Sequence, residues 1–356
     1  MNIIKNILIT GGAGYIGSHV SEVLIKNKKK LFIVDNLSTG FKRLVNKKAN
    51  FFKSDIQSVR AIKKIIIDNN IDSVIHLAAV LSVGESQKNP KKYFNINVTG
   101  TQNLLSALKK TNVKNIIFSS TCAVYEDGHK KVSEKTNLKP TSVYGKTKLH
   151  GEKLIQSFCQ QHKLNYGILR FFNVAGASSS GKIGQINKGD QLFKNLSIQI
   201  LKKKPVFKIY GSDYETEDGT CVRDYIHVSD IAEVHYKVLK AINKKNKSKV
   251  LNCGYGIGVS VNETINEFKK YANKNLKILK LSKRNGDMVK ITADNKNLLK
   301  FINWKPSNNK LSTIVKSCIR WEKKRFKFIK KICYRRYSIK KYNKIYKTKI
   351  RFNLLK

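Results

Sequence analysis

The segment Thr10-Gly11-Gly12-Ala13-Gly14-Tyr15-Ile16-Gly17-Ser18 decides the fold of this chain. It follows a short apolar run that is typical of a buried strand, and it precedes an amphipathic stretch to about Lys28 that predicts a helix. At such a strand-to-helix turn, Gly11 permits the tight turn, Gly14 lets the backbone approach a pyrophosphate, and Gly17 lets the helix pack close to the strand. The helix N-terminus adds free N–H groups and a positive dipole end. The segment therefore predicts a dinucleotide-binding turn.

An acidic residue after the next predicted strand indicates which dinucleotide is bound. The run Leu31-Phe32-Ile33-Val34 is followed directly by Asp35. A carboxylate there accepts hydrogen bonds from the adenosine ribose hydroxyls and repels a 2′-phosphate, so it favours NAD over NADP. A merely solvated Asp at a strand end would show the same pattern, so this interpretation depends on its agreement with the glycine-rich turn.

Strands and helices alternate through the first half of the chain. Predicted strands at 51–53, 73–77, 116–118 and 167–171 alternate with predicted helices at about 58–69, 90–110 and 142–160. This alternation predicts an α/β fold with a Rossmann-type, doubly wound parallel sheet that carries helices on both faces. Ligands of such sheets bind at the carboxyl ends of the strands. The sequence places Asp35, Asp55, Ala78, Ser119 and Asn173 at those ends.

The pattern changes after Asn173. Glycine, serine and asparagine accumulate over 175–189 and predict a loop, which further elements at 192–202, 206–210, 228–243 and 261–272 follow. These elements predict a smaller C-terminal α/β domain that binds the substrate. We therefore expect an NAD-binding domain at 1–175, which later segments can complete, and a substrate domain at 176–321. A basic tail at 322–356 would follow, in which 15 Lys/Arg accompany one acid, Glu322.

Charge and cysteine content limit the remaining function classes. The 356 residues carry a formal net charge of +48, which is compatible with contact to nucleic acid or another anionic surface, in particular through the basic tail. A compositional bias towards lysine explains the same charge, and an anionic substrate would be attracted in either case. None of the cysteines forms a C-x-x-C pair, so the sequence predicts no zinc site. Neither a signal peptide nor a membrane-spanning run is recognisable. We therefore expect a cytoplasmic protein with free thiols. The six cysteines are Cys122, Cys159, Cys221, Cys253, Cys318 and Cys333.

Tyr144 and Lys148 are the candidates for catalysis. They lie four residues apart on a predicted helix, which puts both on one face. A free tyrosine has a pKa of about 10, too high for a base at neutral pH, but a nearby ammonium and the positive nicotinamide of NAD⁺ would lower it. Such a tyrosine can take a proton from a sugar hydroxyl while hydride leaves the same carbon. Thr121, in the Ser119-Ser120-Thr121 end of a strand, would hydrogen-bond the reacting oxygen. An ordinary surface pair has the same spacing, so the prediction depends on the cofactor turn.

Longer blocks extend these motifs from about Asn6 to Trp321. They include Val83-Gly84-Glu85-Ser86, Thr141 to Lys148, Arg170-Phe171-Phe172-Asn173 and, most specifically, Tyr210-Gly211-Ser212-Asp213-Tyr214 with the run from Asp218 to Val228. On these blocks the chain resembles the extended short-chain dehydrogenases/reductases and, among them, the UDP-glucose 4-epimerases. The basic tail has no counterpart in that pattern.

The resemblance implies a role for each matching residue. Tyr144 would be the base, with Lys148 and Thr121 beside it. Residues that would hold NAD are Gly11, Gly14, Tyr15, Ile16, Gly17, Asp35, Asn36, Asp55, Ile56, Ala78, Asn97, Ser119, Tyr144, Lys148 and Phe172. Residues that would hold the UDP-sugar are Thr121, Tyr144, Asn173, Asn195, Leu196, Tyr210, Arg223, Arg284 and Asp287. The implied reaction is C4 epimerisation of UDP-galactose and UDP-glucose through a 4-keto sugar, with NAD retained, in a homodimer.

Three positions depart from the family pattern, and other functions stay open. Leu81 replaces a lysine that helps to hold the cofactor, and Glu126 replaces a glycine. Ile291 replaces a tyrosine, so a wider pocket that accepts UDP-N-acetylhexosamines is a further hypothesis. Related dehydratases carry an Asp-Glu pair after the threonine, whereas Cys122-Ala123 follows Thr121 here. A uronate or N-acetylglucosamine epimerase, or a non-catalytic NAD-binding or nucleic-acid-binding protein, remains an alternative.

Overall fold

A seven-stranded parallel sheet with helices on both faces forms the centre of the protein. The computed structural model describes residues 4–187, 191–283 and 288–327. The strands are β1 Asn6–Thr10, β2 Lys30–Val34, β3 Asn50–Phe52, β4 Ser73–His76, β5 Asn115–Thr121, β6 Lys131–Val132, β7 Asn165–Phe171, β8 Asn173–Ala175, β9 Val206–Tyr210, β10 Val222–His227, β11 Lys249–Cys253, β12 Gly258–Ser260, β13 Lys277–Leu281 and β14 Lys290–Ala293. The helices are α1 Tyr15–Lys26, α2 Val59–Asp68, α3 Val83–Lys88, α4 Pro90–Phe94, α5 Gly100–Leu108, α6 Val143–His162, α7 Leu192–Gln199, α8 Val228–Lys245, α9 Val261–Ala272, α10 Lys296–Ile302 and α11, described over 311–327.

The order of the strands confirms the predicted Rossmann-type fold. It runs β11-β7-β5-β4-β1-β2-β3, with every neighbouring pair parallel. Strand β5 is buried along its whole length because helices cover both faces of the sheet. Ile7 and Ile117 pack on the side of α1 and α8, and Leu8 and Ile116 pack on the side of α2, α5 and α6. The carboxyl ends of these strands therefore meet along one edge.

Two elements beyond residue 175, helix α8 and strand β11, belong to the layer of the large sheet. The sequence assigned the helix at 228–243 to the smaller domain, and that assignment was wrong, because Ile231, Val234 and Val238 of α8 pack in the same core as α1. Strand β11, which the sequence did not predict, pairs with β7. The division into units 1–175 and 176–321 stays a prediction, with α8 and β11 shared between them.

The smaller layer surrounds a separate apolar core. Strands β12, β10, β14 and β6 form one sheet, with β8 paired to β10, and β9 pairs with β13. Helices α7, α9 and α11 pack together through residues such as Leu196, Phe268 and Val315. Helix α11 continues to residue 327, and Glu322 is only 1% exposed. The first residues of the predicted basic tail, 322–327, are therefore the last turns of α11, and the buried Glu322 carboxylate anchors them. Residues 328–356 lie outside the described residues.

Candidate active site

A cleft of about 1690 Å³ lies at the carboxyl edge of the large sheet, between the two layers. Fourteen of the fifteen predicted cofactor residues line it, from Gly11 to Phe172, and Asn97 is the exception. Of the predicted substrate residues within the described chain, the cleft is lined by Tyr144, Asn173, Asn195, Tyr210 and Arg223. Thr121 and Leu196 are buried behind that lining, and Arg284 and Asp287 lie outside the described residues. The cleft thus joins most of both predicted sets.

The glycine turn has the close packing that a dinucleotide requires. Gly11 has a φ of +73°, and a Cβ there would lie 2.7 Å from the backbone nitrogen of Ala78. A Cβ at Gly17 would lie 2.5 Å from the carbonyl oxygen of Gly11. A Cβ at Gly14 would meet only one atom, that same oxygen, at 3.1 Å. Because α1 begins at Tyr15, its free N–H groups face the opening at Gly14, where a pyrophosphate fits.

Asp35 is fixed at the end of β2 by two backbone donors. Its Oδ2 accepts from Ala13 N at 3.0 Å, and its Oδ1 accepts from Leu37 N at 2.8 Å. Burial raises the pKa of the Asp35 carboxyl, while these two hydrogen bonds act to lower it. Nearby, Asn36 Nδ2 donates to Asp55 Oδ2 at 2.7 Å. The acidic group is therefore held rigidly beside the glycine turn, where a ribose diol of NAD fits.

Asn97 supports the cleft from behind. It lies in a single wider helical turn, Asn95–Thr99, which interrupts the predicted helix 90–110 between α4 and α5. Its Oδ1 accepts from Val80 N at 2.9 Å, and its Nδ2 donates to Val80 O and to Thr147 Oγ1, each at 3.1 Å. Asn97 therefore links the loop after β4 to α6, and its role is to shape the cleft wall.

Helix α6 presents Tyr144 and Lys148 to the end of β5. Ser142 caps the helix by accepting from Gly145 N at 3.0 Å, and Ser86 Oγ accepts from Tyr144 N at 3.1 Å. Lys148 Nζ donates to the carbonyl oxygen of Ser119 at 2.8 Å. Burial lowers the pKa of Lys148 to about 8, although the nearby Glu152 carboxylate acts to raise it. The ammonium is thus held deep in the site at a cost in stability.

The side chain of Tyr144 lies beside Thr121, the last residue of β5. Strand β5 runs through Thr121, so the Ser119-Ser120-Thr121 segment lies within the strand rather than after it. Burial raises the pKa of Tyr144 above its ordinary value, and the neighbouring Thr121 hydroxyl acts to lower it. The lowering expected from Lys148 together with the nicotinamide of NAD⁺ concerns the site with bound cofactor and stays a prediction.

A buried ion pair behind the site was missed by the sequence analysis. Arg170 donates to Glu152 through Nη2 at 2.6 Å and through Nε at 3.0 Å, and Ser120 Oγ donates to the same carboxylate. Arg170 Nη1 also donates to Tyr125 Oη at 3.1 Å. Glu152 follows Lys148 by one helical turn, so the spacing Tyr144, Lys148, Glu152 was a signal that could have revealed it. The pair fixes the end of β5 against α6.

The comparison with known families identifies the chain. The profile of the NAD dependent epimerase/dehydratase family matches residues 7–254. The chain belongs to this family. Because that family is NAD dependent, the match agrees with the glycine turn and with Asp35.

Relatives of this epimerase/dehydratase confirm the resemblance predicted from its motifs. The UDP-glucose 4-epimerase of Lactobacillus helveticus is 38% identical over 319 residues, which are 89% of this chain and 97% of that protein. A crystal structure of UDP-glucose-4-epimerase from Stenotrophomonas maltophila with bound NAD and formylated UDP-arabinopyranose has a TM-score of 0.86 and 33% identity, covering 91% of this chain and 99% of that one. The UDP-Glc/GlcNAc 4-epimerase of Campylobacter jejuni has a TM-score of 0.79 and 36% identity, covering 90% and 99%.

The three residues that depart from the family pattern lie at different places relative to the cleft. Leu81 lines the cleft and is 58% exposed. Ile291 is 2% exposed and packs with Phe172, which itself lines the cleft. Glu126 lies 3.4 Å from the Lys139 ammonium at the surface. Leu81 therefore touches the ligand space directly, and Ile291 acts on it only through Phe172.

The part of the chain that the structure describes contains neither a cluster of metal ligands nor a membrane-spanning helix. Within 4–187, 191–283 and 288–327, His, Cys, Asp and Glu form no group of three that could hold a metal ion. In the same ranges, every helix is too short or too polar to cross a bilayer. Cys122, Cys159, Cys221, Cys253 and Cys318 are free thiols.

Proposed function

We propose that this enzyme interconverts UDP-galactose and UDP-glucose by epimerisation at C4, with NAD as its cofactor. One observation carries the proposal. Tyr144, which lies beside Thr121 and one helical turn from Lys148, lines the cleft that also contains the glycine turn and Asp35. The relatives named UDP-glucose 4-epimerase support the same reaction.

The chain's own residues provide the acid–base chemistry. Tyr144 takes the proton of the 4-hydroxyl as a C4 carbonyl forms, and it returns a proton to that oxygen when the carbonyl is reduced. Thr121 holds the phenol and the reacting oxygen in line, and Lys148 holds a positive charge near them. When bound, NAD⁺ would supply the hydride chemistry at C4, and its positive charge would favour the Tyr144 phenolate. The cycle has no net redox change.

Inversion requires a firm hold on UDP and a loose hold on the hexose. Arg223 is a guanidinium that can grip a diphosphate bidentately, and Tyr210 offers a ring face for uracil. Asn173 and Asn195 add polar contacts in the same part of the cleft. By resemblance, Arg284 and Asp287 complete this set. Binding energy placed on the nucleotide leaves the 4-keto sugar free to turn its other face to the cofactor.

The test is a turnover assay with UDP-galactose and purified protein, without added NAD. Formation of UDP-glucose is the expected result, and it would also show that Leu81 is compatible with a retained cofactor. If product forms only after NAD is supplied, the epimerisation reaction is supported, and the weak retention of NAD is attributed to Leu81. No product in either condition would contradict the proposal.

UDP-N-acetylhexosamines are a second candidate substrate class. The observation that favours them is Ile291, which packs behind Phe172 and takes less room there than a tyrosine would. The assay compares kcat/KM for UDP-N-acetylglucosamine and UDP-glucose in the wild type and in Ile291→Tyr. In the variant, kcat/KM for UDP-N-acetylglucosamine should fall while kcat/KM for UDP-glucose is kept. An equal fall for both substrates would refute the idea.

Assembly and location are proposed on separate grounds. A homodimer is supported by the resemblance. Light scattering of the purified protein should then give the mass of two chains, and the mass of one chain would contradict it. A cytoplasmic location is supported by the free thiols. Contact of the basic tail with an anionic surface rests on its charge alone, and salt-dependent binding to anionic vesicles or RNA would test it.

A further inference from the structure

Side chains from two helices donate to one carbonyl oxygen beside the cleft, that of Gln185. Trp321 Nε1 of α11 donates to it at 2.9 Å, and Lys194 Nζ of α7 donates to it at 2.6 Å. The residue before it, Gly184, has no side chain, and a Cβ there would lie 2.7 Å from the Trp321 ring. The indole therefore lies flat against the backbone of the segment 183–187, which we call the retaining loop.

The junction is buried, and its charged side chains pair with one another. Lys194 forms an ion pair with Glu322, which also accepts from Arg325 Nε at 2.6 Å. Trp321, Lys194 and Glu322 are all buried. Because each charge has its partner inside the protein, α7, α11 and the retaining loop are held as one unit.

The retaining loop reaches the adenosine side of the cofactor cleft. Its last three residues, Gln185, Ile186 and Asn187, line the cleft together with the segment 38–44 that follows Asp35. Asn187 Nδ2 donates to the Thr39 carbonyl oxygen at 2.9 Å. An apolar cluster also joins the two segments. It consists of Trp321, Leu44, Ala177 and Ile183, with Phe41 and Ile186 packed against them.

We propose that Trp321, acting through Gln185, is a positioning residue for cofactor retention. It holds the retaining loop against the segment 38–44, and the two segments close the adenosine end of the cleft over NAD. Release of NAD requires them to separate, so a weaker junction speeds release without altering the catalytic tyrosine. The inference rests on the proposed function, because it presumes that the cleft holds NAD.

The chain offers a matched pair of substitutions for the test. Trp321→Phe keeps a ring in the apolar cluster and removes the indole donor to Gln185. Trp304→Phe is the control, because Trp304 is also buried but its Nε1 has no hydrogen-bond partner among the described residues. Asn187→Ala is a second test variant at an exposed side chain, where the fold is not at risk. For each protein we would measure Tm, bound NAD after gel filtration, the NAD release rate, and kcat and KM for UDP-galactose.

The expected result is a release rate raised about two- to tenfold in Trp321→Phe, as loss of one hydrogen bond allows. Asn187→Ala should change in the same direction. KM for UDP-galactose should stay unchanged, added NAD should restore kcat, and Trp304→Phe should lower Tm without faster release. Wild-type release in both test variants, or equal release in Trp304→Phe, would overturn the proposal while the epimerase activity stands. A wild type that binds no NAD in a titration would overturn both proposals.

Discussion

Replacing Lys148 by methionine should stabilise the NAD-free protein while it abolishes turnover. Burial lowers the pKa of Lys148 from 10.5 to about 8, and at neutral pH the group is still charged. At about 1.4 kcal/mol per pKa unit, the buried charge destabilises the folded state by roughly 3 kcal/mol. Methionine removes that penalty and loses the hydrogen bond to Ser119, worth about 1 kcal/mol. The net gain is about 2 kcal/mol, or about 3 °C in Tm for a chain of this length.

The sign of the pH dependence makes this prediction specific. Between pH 8 and 10.5 the folded protein has lost the Lys148 proton and the unfolded chain keeps it, so the wild type gains stability as pH rises. The advantage of Lys148→Met should therefore be full below pH 8 and shrink towards pH 10.5. Denaturant titrations of NAD-free protein at four pH values measure it, with Lys146→Met, at an exposed position of the same helix, as control. A constant difference across this range, or a less stable variant at pH 7, would refute the reasoning.

Three further substitutions or truncations test other parts of the site. Tyr144→Phe should lower kcat by about 10²- to 10⁴-fold with bound NAD and KM unchanged, as steady-state kinetics and cofactor content would show. A chain that ends after Trp321 should be about 3–5 kcal/mol less stable than one that ends after Lys327, because a buried ammonium of α7 loses its carboxylate. Equal Tm values for the two truncations would contradict this. Gly11→Ala should lose bound NAD, since its Cβ would strike the backbone after β4, whereas Gly128→Ala, with no atom within 4 Å, should retain it.

The sequence was informative where burial imposes a pattern along the chain. Continuous apolar runs revealed most strands of the large sheet, and β9 and α9 have the predicted bounds. An amphipathic helix shows only that one face is apolar, which is why α8 could be recognised as a helix but was assigned to the wrong layer. Strand β11 has only Val250 and Leu251 between Lys249 and Asn252, so it lacks the longer apolar run that revealed the other strands of this sheet.

The candidate site likewise contains some contacts that the sequence could predict and others that it could not. The spacing of Tyr144 and Lys148 is local, and helical geometry is enough to bring them together. The contact of Trp321 with Gln185 spans 136 residues, and that of Asn97 with Thr147 spans 50. Such pairs depend on the packing of whole elements, for which one sequence contains no periodic signal.

The order in which the strands of the large sheet arise has a consequence for synthesis on the ribosome. Six strands are present once residue 171 has emerged, but β7 then has a free edge. Its partner β11 and the covering helix α8 follow only after residue 228, with α7, β9 and β10 made in between. During that interval the nascent chain exposes an unpaired strand and the apolar residues that α8 later covers. Holdase chaperones should therefore bind most strongly to nascent chains with about 175–250 residues outside the ribosome, which ribosome profiling of chaperone-bound chains would reveal.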